Sequence, residues 1–459
     1  MKKDLIEMNE KRKGKLILIL AFAMVISVMN STMFNIALPT ITNEFHLQPS
    51  QAGWIVTGYI IVYAIGSVMF GKLADKYKLK NLLTVGLLIF AFGSLMGFLA
   101  PNFSFVLAGR IIQAMGASIM PATSMIIPTR YFTPEKRGRA LGITSSATAF
   151  GTAVGPIVAG LVTNFISWRY LFVISLLILL TLPFFRVFLD NEEEKVKNKT
   201  DLIGAVLLAG TLALLLLAIT QGSLLLAFIG IVFFVLFLWR IRVAQNPFIQ
   251  GNLFENRTFS AGLLVSALSS GIGFGIPYLT PLLLQGVNGL SPMLSGLVMF
   301  PGAALAAILG RKGGKLADQK GNGFVAYTAL LCFFLGYGIL SIIAGSSPYI
   351  IMIVLIFAYV GQTFIQIALG NNVSRSLPKE QAGVGMGIYM MMNFIAGATA
   401  TTLISKALEV KNASLQLNPF LLDHNSLNYS NIYVVLAILI VIVTLIYMSN
   451  FRKETIKSH

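Results

Sequence analysis

Charge is what this sequence has least of. Only 11% of its 459 residues are Asp, Glu, Lys or Arg, against 56% that are hydrophobic, whereas soluble domains carry about 25% charged residues. That shortage excludes a water-facing surface over most of the chain. Cysteine is nearly absent too, and the one present, Cys332, can form no intrachain disulfide. Three histidines, His46, His424 and His459, are too few and too scattered for a metal site, and no nucleophile and base stand together. Metal chemistry and enzyme activity are therefore not expected, and neither is a bound cofactor. Acidic residues are outnumbered 34 to 17 by Lys and Arg, but the basic residues form no contiguous stripe with interleaved aromatics, which argues against nucleic acid.

What the chain has in abundance is apolar runs of membrane-crossing length. They fall near 15–37, 51–70, 81–100, 105–128, 139–163, 168–188, 202–220, 224–241, 259–282, 293–310, 323–343, 349–374, 384–408 and 430–450, fourteen in all. The first run follows a basic segment and is too long for a cleaved signal, so it reads as a retained helix. An even count puts both termini on one side. All of the Lys and Arg except Arg110, Arg169, Lys406 and Lys411 fall on that side, and the excess of basic residues in cytoplasmic loops makes it the cytoplasm. The expected location is a bacterial cytoplasmic membrane.

The chain also repeats itself. Gly71-Lys72-Leu73-Ala74-Asp75 follows span two and Gly314-Lys315-Leu316-Ala317-Asp318 follows span ten, both read as loops. Pro134, Glu135, Gly138 and Gly142 before span five are echoed by Pro378, Glu380, Gly383 and Gly387 before span thirteen. An all-α integral membrane protein of two related six-helix bundles with two inserted helices follows. Its expected divisions are a cytoplasmic segment 1–14, a first bundle 15–188, a linker 189–258 carrying the two extra helices, a second bundle 259–450 and a tail 451–459. Repeats separated by an even number of spans share orientation, which places a cavity at their interface and suits alternating access.

Several residues stand out against this apolar background. Arg110 is the one basic residue well inside a span, and a charge at that depth marks a functional site by default; snorkelling to the interface is the plainer alternative. Gln113 lies one turn away on the same face. Asp75 and Asp318 in the repeated turns can pair with cations of a neighbouring loop, Arg137 or Arg139 being the candidates in the first half, and hold one conformation closed. Polar side chains at membrane depth, Asn30, Ser31 and Asn35 in span one and Gln362 and Gln366 in span twelve, face either a cavity or a neighbouring helix. Met390 and Asn393 of span thirteen join the cavity candidates, methionine offering a soft, adaptable surface. Span five carries Gly151, Gly155 and Gly160 with Pro156, small residues on which another helix can lie closely.

These motifs resemble those of the major facilitator superfamily, and within it the fourteen-helix drug:proton antiporters, with the tetracycline exporters of classes K and L nearby. Gly71 to Lys80 resembles the family's cytoplasmic loop motif, Arg110-Ile111-Ile112-Gln113 with Gly116 its fourth-helix motif, and Gly142, Gly151, Gly155, Pro156 and Gly160 its fifth-helix antiporter motif. Asn30 to Pro39, Trp54, Tyr59, Trp168 and Asn246-Pro247-Phe248 are similar as well, and Tyr59 enters the cavity set on that ground. The resemblance implies a monomer in the bilayer that exports amphipathic drugs such as fluoroquinolones and dyes in exchange for protons. It assigns coupling and gating to Arg110, Asp75, Asp318 and Arg139. Narrow export of tetracycline or a metabolite, and proton-coupled uptake, are the alternatives. The chain departs from the pattern at Asn30 and Ser31, where relatives carry an aspartate or a glutamate, so no membrane-buried carboxylate awaits a cationic substrate.

Overall fold

The computed structural model describes residues 2–74, 77–132, 134–189, 201–245, 247–249, 251–377, 382–409 and 416–456. Among the described residues no strand forms, and fourteen helices are long and apolar enough to cross a bilayer. In lipid every backbone N–H and C=O must be satisfied within the segment, so an apolar run of this length has no alternative to a helix. The spans are α1 (Arg12–Glu44), α2 (Pro49–Ala74), α3 (Leu79–Phe98), α4 (Phe103–Pro128), α5 (Ile143–Phe165), α6 (Tyr170–Phe188) and α7 (Leu202–Gln221). They continue with α8 (Leu224–Val243), α9 (Arg257–Gly286), α10 (Pro292–Gly310), α11 (Gln319–Ile343), α12 (Pro348–Arg375), α13 (Gly385–Leu408) and α14 (His424–Phe451).

Polar caps set where several of these helices start. Asn102 Oδ1 accepts the Phe105 N–H at the start of α4, Asp201 Oδ1 that of Gly204 in α7, and Asn256 Oδ1 those of Thr258 and Phe259 in α9. The second Gly-Lys-Leu-Ala-Asp copy is no loop: α10 and α11 belong to one helical stretch, Pro292–Ile343, broken at Gly321, whose φ of 83° lies in the left-handed region that favours glycine. The first copy likewise begins as the last turn of α2. Small, helix-tolerant residues carry the helix past the apolar run in both places, which hydropathy alone does not register.

α1 packs along α5, α3 along α4 and α2 against α4, forming the first bundle; α9 packs on α12, α13 and α14, and the α10–α11 stretch on α12, forming the second. The inserted α7–α8 pair is a hairpin whose α7 touches α2 and α13. The bundles meet through α2 on α13, α5 on the α10–α11 stretch and α1 on α9. Alternate connections lie at opposite ends, so the end carrying the termini is called near and the opposite end far.

Candidate functional site

Arg110 sits near the first bundle's centre with only 1% of its surface exposed. One guanidinium nitrogen donates to Asn30 Oδ1 at 2.7 Å and to Gln113 Oε1 at 2.6 Å. The planar group lies between two rings, 4.1 Å from the centre of Phe34 and 3.9 Å from that of Tyr59. Further bonds fix the amides: Asn30 Nδ2 donates to Ser175 Oγ, and Gln113 Nε2 to Ser94 Oγ at 2.8 Å. Arginine keeps its proton in proteins, so burying it at this depth costs roughly 3 kcal/mol or more. Two charge-assisted hydrogen bonds of about 1.5–3 kcal/mol each, with cation–π contacts of about 1–2 kcal/mol, are enough to hold it. The cage is neutral throughout. Arg110 Nε and the Tyr59 hydroxyl are buried with no hydrogen-bond partner.

From this cage an aromatic path crosses to the second bundle. Tyr59 stacks on Tyr63 at 5.7 Å, Tyr63 meets Phe394 of α13 edge-on at 5.2 Å, and Phe394 meets Phe274 of α9 at 6.3 Å. Toward the far end the seam is tight. The Thr57 hydroxyl lies 2.9 Å from that of Thr401 and 3.2 Å from that of Thr402, Gln285 Nε2 donates to Ile36 O at 2.9 Å, and the Ser50 N–H donates to Glu409 Oε1 at 2.9 Å. Lys406 Nζ reaches Glu409 Oε2 at 2.8 Å and the Thr220 carbonyl of α7 at 3.1 Å. Burial alone would raise the Glu409 carboxyl, but hydrogen bonds from Lys406 and Ser50 and the Lys406 charge outweigh it and hold the group below its ordinary 4.5. α5 and α10 close the same end, Gly160 lying against the Pro292 carbonyl and Gly296 against that of Pro156.

The inserted pair is anchored at the near end. Lys72 Nζ, the lysine of the first repeated turn, donates to Pro247 O at 2.8 Å and Phe248 O at 2.9 Å, and lies 5.3 Å from the centre of the Phe248 ring. Asp201 receives the Gly204 N–H, Arg240 Nε at 2.9 Å and the Phe248 N–H at 3.2 Å. Burial pushes its carboxyl up, and these donors with the Arg240 charge pull it net below its ordinary value.

The structure thus sorts the candidate residues. Asn30, Gln113 and Tyr59 belong to the Arg110 cage and are buried. Ser31, Gln362, Gln366 and Met390 are half-buried; Ser31 Oγ donates to Val28 O, and Gln366 bridges Ser270 and Tyr389. Asn35 is buried, and Asn393 is held by Ser266. Gly151 lies against Val25 of α1 and Gly155 against Thr32, so the small-residue face of α5, with Pro156 and Gly160, serves α1 and α10. Asp75 lies outside the described residues, as do the side chains of Arg139 and Asp318 and the surroundings of Gly142. Sequence reasoning missed the Thr57–Thr401 contact, the Glu409 latch and the Lys72 clip; the Lys72 clip alone had a signal, in Pro247-Phe248.

Two helical bundles joined across a membrane-spanning seam, with a lone buried cation beside it, define a polytopic membrane transporter rather than an enzyme. The family model "Major Facilitator Superfamily" matches residues 20–401, and the chain belongs to that superfamily. It is 27% identical over 402 residues to the riboflavin transporter RibZ of Clostridioides difficile, covering 86% of this chain and 88% of that protein. The lincomycin resistance protein LmrB of Bacillus subtilis is 28% identical, covering 82% of this chain and 81% of its own. The fold is similar to a POT family transporter in complex with 5-aminolevulinic acid, with TM-score 0.70 at 13% identity over 96% of each chain. It is similar also to an inward-facing bacterial homologue of the human lysosomal transporter Spinster, with TM-score 0.65 at 15% identity over 96% of this chain and 97% of that one.

Proposed function

We propose that this protein exports amphipathic compounds across a bacterial cytoplasmic membrane in exchange for protons, its two bundles rocking about the seam. The near end, with both termini, faces the cytoplasm in this reading, which the distribution of Lys and Arg supports. The observation that carries the reading is the unequal seam: polar and glycine contacts join the bundles at the far end, as in one of the two states that alternating access requires. The relative named as a lincomycin resistance protein supports export. Arg110, Asp75, Asp318 and Arg139 are the groups assigned to coupling and gating, with Asn30, Ser31, Asn35, Tyr59, Gln113, Gln362, Gln366, Met390 and Asn393 in or behind the substrate space.

The relative named as a riboflavin transporter favours a second reading, a narrow exporter of one metabolite. Everted vesicles energised to an acid interior separate the readings. Gradient-driven accumulation of several unrelated amphipaths, abolished by a protonophore, is expected; accumulation of one compound alone marks the narrow exporter, and loss of preloaded compound marks an uptake symporter.

A further inference from the structure

The transport path of this protein is electrostatically one-sided. Among the described residues Glu44 is the only acid within a span, as the last residue of α1, where Trp168 and Arg169 occupy its two carboxylate oxygens. Among the described residues Arg110 is the only fully buried cation, and its partners are two amides and two rings, none of which carries charge. The ring contacts of 3.9 Å and 5.7 Å put the Tyr63 ring centre no more than about 10 Å from the guanidinium. Tyr63 and Phe394 form the aromatic crossing between the bundles. Phe70, two turns after Tyr63 on α2, and Met390 and Met386, one and two turns before Phe394 on α13, share those helix faces toward the near end and are half-exposed. A flat ring system that reaches this crossing would meet aromatic side chains with one positive charge behind them, held by neutral partners.

We infer that the substrates of this site are planar aromatic amphipaths carrying negative charge or none, and that Arg110 selects against cations through its field. The inference rests on the exporter reading for its direction, but the recognition it describes is a property of binding alone. At about 10 Å in a medium of effective dielectric near 20, one unit charge shifts affinity by on the order of tenfold, upward for an anion and downward for a cation. Arg110 acts from behind Tyr59 without touching the ligand, so it is a specificity-determining residue and not a contact residue.

Fluorescein and rhodamine 123 share the xanthene ring system and carry opposite charge at neutral pH, which makes them a matched pair. Fluorescence polarisation with purified full-length protein in an uncharged detergent measures both affinities without reference to gradient or direction. Fluorescein is expected to bind at least about tenfold more tightly than rhodamine 123. Arg110→Lys is expected to keep that order, and Arg110→Gln to erase it by weakening fluorescein and strengthening rhodamine 123 together. A purely structural role would weaken both dyes alike. Phe394→Leu, which leaves the cage intact, is expected to weaken both dyes while preserving their ratio. Tighter binding of rhodamine 123 by the unmodified protein, binding of neither dye, or an unchanged ratio in Arg110→Gln would each overturn the inference. If fluorescein binds preferentially yet everted vesicles accumulate nothing, the exporter reading fails while the charge preference stands.

Discussion

The two ends of α2 face different surroundings, although one helix carries both. At the far end a methyl group placed on Gly53 would lie 2.5 Å from Ser405 Oγ, whereas one placed on Gly71 at the near end would meet no atom within 4 Å. The α10–α11 stretch repeats the contrast, with Gly296 pressed against the Pro156 carbonyl and Gly314 beside open space. Glycine therefore serves two purposes here. At the far end it lets backbones of opposite bundles touch, and at the near end it leaves helices free of each other. Without a hydrophobic drive between helices in lipid, such close van der Waals contact and interhelical hydrogen bonds are what hold a seam shut. They are concentrated where Thr57, Ser50, Gln285 and Glu409 lie, and a modest free-energy change there is enough to shift the balance between states.

The largest expected effect comes from the Arg110 cage inside the first bundle. Arg110→Ala leaves Asn30 and Gln113 without their shared donor and is expected to lower gradient-driven dye export by at least about 100-fold with normal membrane insertion; near-normal export would remove the cage from the mechanism. Next comes Gly296→Val, which forces a side chain against the Pro156 carbonyl. It is expected to slow export by about tenfold while dye binding survives, because only the closed far end is disturbed. The matching Gly314→Val at the near end is expected to change neither, and equal damage from both would erase the contrast drawn above.

A smaller effect is expected from Glu409→Gln, which removes the charge pair with Lys406 while leaving an acceptor for the Ser50 N–H. Export is expected to fall about two- to fivefold. The sign of its pH dependence follows from the carboxyl being held below 4.5 in the closed state. A depressed acid stabilises that state above its ordinary value and loses the contribution only as pH falls through the lowered one. The ratio of mutant to wild-type export is therefore expected to stay flat between about pH 5 and pH 8, and a ratio that rises toward 1 across that range would contradict the assignment. Smallest of all is the contrast between the repeated lysines. Lys72→Ala frees the Pro247 and Phe248 carbonyls and is expected to lower the melting temperature by a few degrees, while exposed Lys315→Ala stays within about one degree. Equal shifts would mean that the linker docking contributes nothing.

The membrane-crossing elements were legible because hydropathy over about twenty residues is set by the bilayer and not by neighbouring helices. All fourteen fall where the apolar runs placed them, and Arg110 announced itself as a charge without water. What the sequence does not encode locally is rotation and partner choice. Asn30 reads equally well as a cavity residue or a hydrogen-bonded one, and only its position opposite Arg110, 80 residues away, decides for the cage. Thr57 is a lone threonine in an apolar stretch of α2, and Thr401, between Thr399 and Thr402, also bonds its own turn at Ala398 O, so neither signals a partner across the seam. The helical reading of Gly314 to Asp318 was hidden because lysine and aspartate break the apolar pattern without breaking a helix. Among the described residues the identical stretches differ in surroundings: Lys72 meets the linker after α8, and Lys315 is exposed.

The central claim is that the far-end seam must open for each transport cycle. Cysteines replacing Thr57 and Thr401, whose hydroxyls lie 2.9 Å apart, in a background with Cys332→Ser, allow that seam to be locked by oxidation and released by reductant. The locked protein is expected to bind dye with near-normal affinity and to export none, with export returning on reduction. Full export by the locked protein would contradict the account.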